Sequence, residues 1–123
     1  MIPLIDRILQ EQSKELAKEI VFLCRDINAS ANDSALTDQL FRAGTSIGAI
    51  LHLAKYAQEE KELIAKLESA REECYRTEYW LDLLFETNDV PHGTYTRLKN
   101  RCEQIGKTLI SAIGAAKAYQ SKR

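Results

Sequence analysis

Apolar residues return every three or four positions along most of the chain, and this rhythm limits the possible folds more than any other feature. Spacings of three and four place side chains on one face of an α-helix, which has 3.6 residues per turn. Such a face is stable only when it is buried against another element. The 123 residues include only two prolines and five glycines, so few positions can interrupt the helices. The sequence therefore predicts a compact, all-helical protein.

Turn-forming segments divide this rhythm into four predicted helices, over residues 3–29, 34–56, 59–87 and 92–120. The first break, at 28–34, is rich in Asn, Asp and Ser, which compete with helical hydrogen bonds and cap helices. The last break contains Pro91 and Gly93. Neither Gly nor Pro separates the second helix from the third. We place a turn there because one helix over both segments would be roughly 75 Å long, too long for a chain of this size.

Each predicted helix carries one apolar stripe. The stripe residues are Ile5, Leu9, Leu16, Ile20, Leu23 and Ile27; Leu36, Leu40, Ala43, Ile47, Ile50, Ala54 and Ala57; Leu63, Leu67, Ala70, Cys74, Thr77, Leu81 and Leu84; and Tyr95, Leu98, Cys102, Ile105, Leu109, Ala112, Ala116 and Tyr119. Short connections make antiparallel packing the simplest way to bury all four stripes. The predicted fold is an all-α, antiparallel up-down-up-down four-helix bundle, formed as a single domain by residues 1–123.

Composition and cysteine usage exclude several classes of protein. Cys24, Cys74 and Cys102 are odd in number and far apart, so neither a disulfide framework nor a zinc site is indicated. We expect a cytoplasmic protein, because the sequence has no secretory signal and no apolar run long enough to cross a bilayer. No membrane partner is expected.

Motifs for catalysis are missing from the sequence. His52 and His92 are isolated, and neither has a Glu three residues before it, as a di-iron bundle requires. Ser46 has no neighbouring base in a recognisable motif, and there is no glycine-rich phosphate loop. We therefore predict a protein that is not an enzyme, with no metal, no cofactor and no small-molecule substrate.

Charge is unevenly distributed along the chain, although the net charge is only −1. Residues 1–90 contain 10 Lys and Arg against 17 Asp and Glu, whereas residues 91–123 contain 7 against a single acid, Glu103. The fourth helix is thus basic, and its candidate contacts for RNA or DNA are Arg97, Lys99, Arg101, Lys107 and Lys117. The alternative is a solvated face that complements the acidic third helix.

Three runs of sequence carry a resemblance to a known bacterial family. They are residues 39–49 (QLFRAGTSIGA), 63–67 (LIAKL) and 70–84 (AREECYRTEYWLDLL). They resemble the four-helix-bundle proteins encoded by intervening sequences in 23S rRNA genes, a family similar to the accessory variability determinant of diversity-generating retroelements. The likeness covers about residues 5–118, and the runs 42–48 and 78–81 are its most specific parts.

The resemblance implies an antiparallel bundle that assembles into a homopentameric ring, has no known catalytic activity and associates with nucleic acid or a ribonucleoprotein. The chain departs from the family pattern after Ala49, where an Asn and one or two acids usually follow. Here residues 50–54 read ILHLA. The Gly or Arg common between the second and third helices is also replaced, by KYAQEEK at 55–61. We expect an apolar contact in place of the polar motif.

Apolar side chains on the second and third helices exceed what a narrow stripe requires, and such a surplus usually marks an interface. The candidate interface residues are Phe41, Ile50, Leu51, Leu53, Tyr79, Trp80 and Phe85. The first functional hypothesis is therefore a structural protein that forms a homo-oligomer, with a pentamer implied by the resemblance. The second is an RNA- or DNA-binding module that uses the basic fourth helix.

Gly44 and Gly48 lie four residues apart within the second helix, where each costs about 1 kcal/mol relative to Ala. The structural explanation is close approach of another helix, with Thr45 and Ser46 bonding back to the preceding turn. The alternative is a small-ligand pocket near residues 44–48, which is the third hypothesis. Arg42 nearby is a candidate for an ion pair or for a phosphate contact. The acids of the third helix available to it are Glu68, Glu72 and Glu78.

Overall fold

The chain forms four α-helices and, in the described residues, no strand. The computed structural model describes residues 3–30 and 34–122, with the side chains of 7–30 and 35–122. The helices are α1 (Pro3–Ser30), α2 (Ser34–Ala54), α3 (Glu60–Glu86) and α4 (His92–Ser121). Their bounds differ from those predicted by at most two residues at each end. The predicted all-α class is confirmed. Residues 31–33, within the first predicted break, and the side chain of Ile5 lie outside the described residues.

The connection between α2 and α3 forms without Gly or Pro. Tyr56 and Ala57 donate their N–H groups to the carbonyls three residues earlier, at 3.0 and 3.2 Å. These shorter bonds tighten the last turn of α2 and use carbonyls that the helix itself leaves unpaired. Glu59 is extended, at φ −123° and ψ 152°, and precedes the first residue of α3. The turn thus lies where the helix-length argument placed it.

The end of α3 is determined by Asn88 rather than by Pro91 or Gly93. Asn88 is left-handed, with φ 67°. The N–H of Asp89 bonds to the Leu84 carbonyl at 2.9 Å, and the N–H of Asn88 bonds to Phe85 at 3.0 Å. This pair of bonds is the Schellman arrangement, which pairs carbonyls at a helix end. Pro91 then precedes α4, and Gly93 lies inside its first turn.

Contacts between neighbouring helices fit an antiparallel, up-down-up-down arrangement. Helix α1 contacts α2 and α4, and α3 contacts α2 and α4, with no contact between the diagonal pairs in the described residues. The start of α1 meets the end of α2, where Gln10 donates to the Leu51 carbonyl at 2.5 Å. The end of α1 meets the start of α2, where Thr37 donates to the Asn28 side chain at 2.7 Å. The four helices therefore occupy the corners of a square.

The core fills the centre of this square with the predicted stripes. Most stripe residues are buried, and the third helix follows the prediction from Leu67 to Leu84 at every position. The prediction is wrong for Tyr119, which is 57% exposed. The stripes are also wider than predicted, because each helix packs against two neighbours. Leu51 and Ile113 are consequently buried beside Ile50 and Ala112.

Candidate interaction surfaces

The Gly44–Gly48 segment is a close contact between α1 and α2. A Cβ atom placed on Gly44 would overlap the side chain of Ile20, and one placed on Gly48 would lie 3.4 Å from the Ser13 hydroxyl. Thr45 donates to the Phe41 carbonyl at 2.7 Å, and Ser46 bonds back to the carbonyl four residues before it. The predicted structural role of this segment is confirmed. The space beside Gly44 is filled by Ile20, which leaves no ligand pocket at that position.

Two of the predicted nucleic-acid residues on α4 pair with one acid on α1. Arg97 and Arg101 lie 2.8 and 2.5 Å from the two carboxylate oxygens of Glu19. The Glu19 side chain is only 21% exposed, so these ion pairs are shielded from solvent more than ordinary surface pairs. The basic face of α4 therefore complements α1 as well as the acidic α3 named in the sequence interpretation.

Two further lysines of α4 pair with acids of α3. Lys99 donates to Asp82 at 2.9 Å, and Lys117 lies 3.2 Å from Glu68. Lys107 is exposed and forms no ion pair within the part of the chain that the structure describes. Of the five basic residues predicted to contact nucleic acid, it alone keeps its charge uncompensated within these residues.

Asp82 is the centre of a polar link between α3 and α4. It accepts hydrogen bonds from the Tyr95 hydroxyl at 2.6 Å and from Lys99. Burial tends to raise the pKa of Asp82, but the hydrogen bonds from Tyr95 and Lys99 outweigh it and hold that pKa below its usual value. Burial raises the pKa of the neighbouring Glu78. The ring of Tyr95 stacks on Phe85, with centroids 4.1 Å apart.

Six of the seven candidate interface residues are exposed or half-buried. Phe41, Leu53 and Tyr79 are 42%, 53% and 60% exposed. Ile50 and Trp80 are half-buried and pack against the core, and Trp80 also meets Tyr79 edge-on with centroids 5.0 Å apart. Phe85 is half-buried under its contact with Tyr95.

Leu51 does not belong to this surface. Its side chain is 2% exposed, because it lies on the part of α2 that faces α1. A single apolar stripe through Ile50 would leave Leu51 outside the core, and this is why the sequence predicted an interface position for it. An α2 helix with two packed neighbours buries both residues.

Arg42 is exposed on α2, and its guanidinium has no ion pair among residues 7–30 and 35–122. Of the expected partners, Glu68 pairs with Lys117, Glu78 interacts with Lys99, and Glu72 forms no ion pair with Arg42. The ion pair that the sequence suggested therefore does not form with the described acids of α3. An uncompensated arginine remains on this face of the bundle.

Sequence reasoning missed a groove between α1 and α4. It has a volume of about 360 Å³ and lies beside the end of α1 and the start of α4. Its lining residues are Glu19, Phe22, Leu23, Asp26, Ile27, Ser30, Asp89, Pro91, Thr94 and Arg97. Phe22 could have indicated the groove, because this large aromatic residue lies outside the apolar stripe of α1. In the structure it is 59% exposed at the groove.

The three cysteines are buried and unbonded to one another. Burial raises the pKa of Cys24 to about 11 and that of Cys74 to about 12, and it also raises the pKa of Cys102. They act as small core residues. No group of three metal-ligating side chains occurs among the described residues. Within residues 3–30 and 34–122, no helix has both the length and the apolarity needed to cross a bilayer.

The fold and the surfaces above define an all-α four-helix bundle in which four of the seven ion pairs among the described residues join different helices. The sequence model of the 23S rRNA-intervening sequence protein family matches residues 6–111, and the chain belongs to that family. A similar solved structure is that of a protein of unknown function from the S23 ribosomal protein family of Bacteroides thetaiotaomicron. It is 35% identical, covers 89% of this chain and 98% of its own, and has a TM-score of 0.87. Among proteins with curated descriptions, none matches this chain.

Proposed function

We propose that the chain is a non-enzymatic interaction protein that assembles with copies of itself through the exposed apolar side chains of α2 and α3. The observation that carries this proposal is the exposure of Leu53 and Tyr79 on these adjoining helices. Large apolar side chains exposed on a surface are a feature of association sites. A pentameric ring is the assembly that the family resemblance favours.

The composition of α2 supports the same proposal. Only Asp38 and Arg42 are charged in its 21 residues, although eight of its described side chains are exposed. Depletion of charge is the compositional signature of the centre of a protein interface. A helix that faced only water would be expected to carry charges on its outer face, as α3 does.

Size-exclusion chromatography with light scattering tests self-assembly directly. Five copies of the 14.0 kDa chain give about 70 kDa for a closed ring. Leu53→Glu and Tyr79→Glu place a charge on the proposed interface and should reduce the mass toward that of one chain. Ile110→Glu is the matched control, because Ile110 is a similarly exposed apolar residue, at 51%, on α4. A wild-type protein that is monomeric at micromolar concentration would refute the proposal.

Association with RNA is a second candidate function, favoured by the family description and by the basic α4. The intrachain ion pairs weigh against a strong phosphate-binding face, because Arg97, Arg101 and Lys117 would each have to leave an acid to bind a phosphate. Lys107 is the best probe, since reversing its charge breaks no intrachain ion pair with a described residue. Lys107→Glu should weaken filter binding of single-stranded RNA and reduce its salt dependence. Lys14→Glu on α1 is the control, and RNA binding that is absent or insensitive to salt would exclude this function.

A further inference from the structure

Two opposite sides of the bundle carry charged groups of opposite sign that form no ion pair within the described residues. Because the helices occupy the corners of a square, the side formed by α1 and α4 lies opposite the side formed by α2 and α3. The first side contains the acidic groove, and the second contains Arg42. Complementary surfaces on opposite sides of one molecule can meet only between two copies.

The groove between α1 and α4 combines an apolar floor with an acidic rim. Leu23 and Ile27 form part of the core, and Phe22 stands beside them with 59% of its surface exposed. Asp26 and Asp89 lie at the rim, and neither carboxylate forms an ion pair within the described chain. Such a site can accept an aliphatic stem with a cationic head, and an arginine side chain has both.

Arg42 is oriented toward the other side of the molecule. Gly44 faces α1, because Ile20 fills the space beside it. Arg42 precedes Gly44 by two residues, which is a rotation of about 200° around the helix at 3.6 residues per turn. The guanidinium is therefore directed away from α1, on the side of α2 that adjoins α3. It is exposed there and forms no ion pair with a described residue.

Arg42 and the groove also lie at the same height along the bundle. Gly44 is opposite Ile20, and Thr37 is bonded to Asn28. By interpolation between these two contacts, Arg42 is level with α1 near Phe22. The groove spans α1 from residue 19 to residue 30, so it includes that level. Copies related by rotation about an axis parallel to the bundle keep the same height, and a closed ring requires this.

We propose that the side of α2 and α3 in one copy docks against the groove of the next copy, with Arg42 paired to Asp26 across the interface. This inference rests on the self-assembly proposed above and specifies which surfaces meet. The contact is heterologous: each copy supplies Arg42 on one side and Asp26 on the other.

Charge reversal tests the docking surfaces. Arg42→Glu and Asp26→Arg should each weaken assembly at least about 10-fold, because each creates a like-charge pair at every interface. The variant carrying both substitutions restores an opposite-charge pair at every interface and should recover assembly to within about 3-fold of the wild type. The measurements are mass by light scattering over a dilution series, with far-ultraviolet circular dichroism to establish that each variant is folded.

Matched reversals outside the two surfaces provide the controls. Lys14→Glu on α1 and Glu103→Arg on α4 change exposed side chains that have no ion pair with a described residue, and they should leave the mass unchanged. If the wild type assembles but the two single reversals assemble equally well, or if the double variant fails to recover, this docking arrangement is wrong while self-assembly stands. A wild-type protein that is monomeric would refute the proposal of self-assembly itself.

Discussion

Gly44 illustrates how one residue determines the distance between two helices. Glycine in a helix interior is less favourable than alanine by about 1 kcal/mol. At Gly44 this cost is offset because Ile20 of α1 occupies the position that a Cβ atom would take. Gly114 has the opposite environment, since nothing lies within 4 Å of its Cβ position.

The two glycines therefore predict opposite effects of one substitution. Gly44→Ala should lower the free energy of unfolding by about 1 kcal/mol, because the cost of overpacking exceeds the gain in helix propensity. Gly114→Ala should raise it by about 0.5–1 kcal/mol. Urea denaturation at one fixed protein concentration measures both. A stabilising effect of Gly44→Ala would show that α1 and α2 are less closely packed than the structure indicates.

Predictions for single residues were confirmed where the sequence pattern is compatible with only one local structure. Two glycines with two hydroxyl residues between them indicated close packing and local back-bonding, and both occur. The Leu51 prediction failed because a stripe counted along one helix does not reveal how many neighbours that helix has. The ion pair suggested for Arg42 required knowledge of which side of α2 faces α3, and spacing alone does not supply it.

At the scale of helices, Asp82 joins α3 to α4 in a way that depends on pH. Its carboxylate accepts hydrogen bonds from Tyr95 and Lys99, and its pKa is held below the ordinary value of 3.8. A depressed pKa stabilises the folded state at pH values above the unfolded pKa, and this contribution is lost as pH falls through the folded pKa. Glu78, whose pKa is raised, acts in the opposite direction.

Asp82→Asn should therefore lower the free energy of unfolding by about 1 kcal/mol at pH 7, a value kept small because the side chain is partly exposed. The difference from the wild type should be smaller at pH 3 than at pH 7, because the carboxyl loses its charge as pH falls through the lowered pKa of the folded state. Denaturation at pH 7 and pH 3, again at fixed concentration, gives the two values. Tyr95→Phe is the companion variant, since it removes one hydrogen bond while the ring can still stack on Phe85. An equal effect of Asp82→Asn at both pH values would argue against a role for its charge.

The boundaries of the helices could be read from the sequence, whereas the partners of α4 could not. Length alone placed a turn between α2 and α3, because a continuous helix would extend beyond any core this chain could form. The basic composition of α4 indicated acidic neighbours in general. It did not indicate Glu19, because that pairing depends on the closure of the bundle between its first and last helices.

At the scale of the whole molecule, the cysteines link the integrity of the core to a chemical measurement. Cys24, Cys74 and Cys102 are 4%, 1% and 0% exposed and come from three different helices. The thiolate is the reactive form, and burial raises the pKa of each thiol. Both access and ionisation therefore require the helices to separate.

In the native protein at pH 7, a thiol reagent such as 5,5′-dithiobis(2-nitrobenzoic acid) should label the three cysteines no faster than the protein unfolds. In denaturant all three should react promptly.

Gly44→Ala should accelerate labelling and Gly114→Ala should slow it, because the first lowers and the second raises the free energy of opening. If self-assembly covers the outer faces of the bundle, labelling should also slow as protein concentration increases. Rapid labelling of one cysteine with the helical content unchanged would mean that its helix opens locally, and that the four helices do not unfold as one cooperative unit.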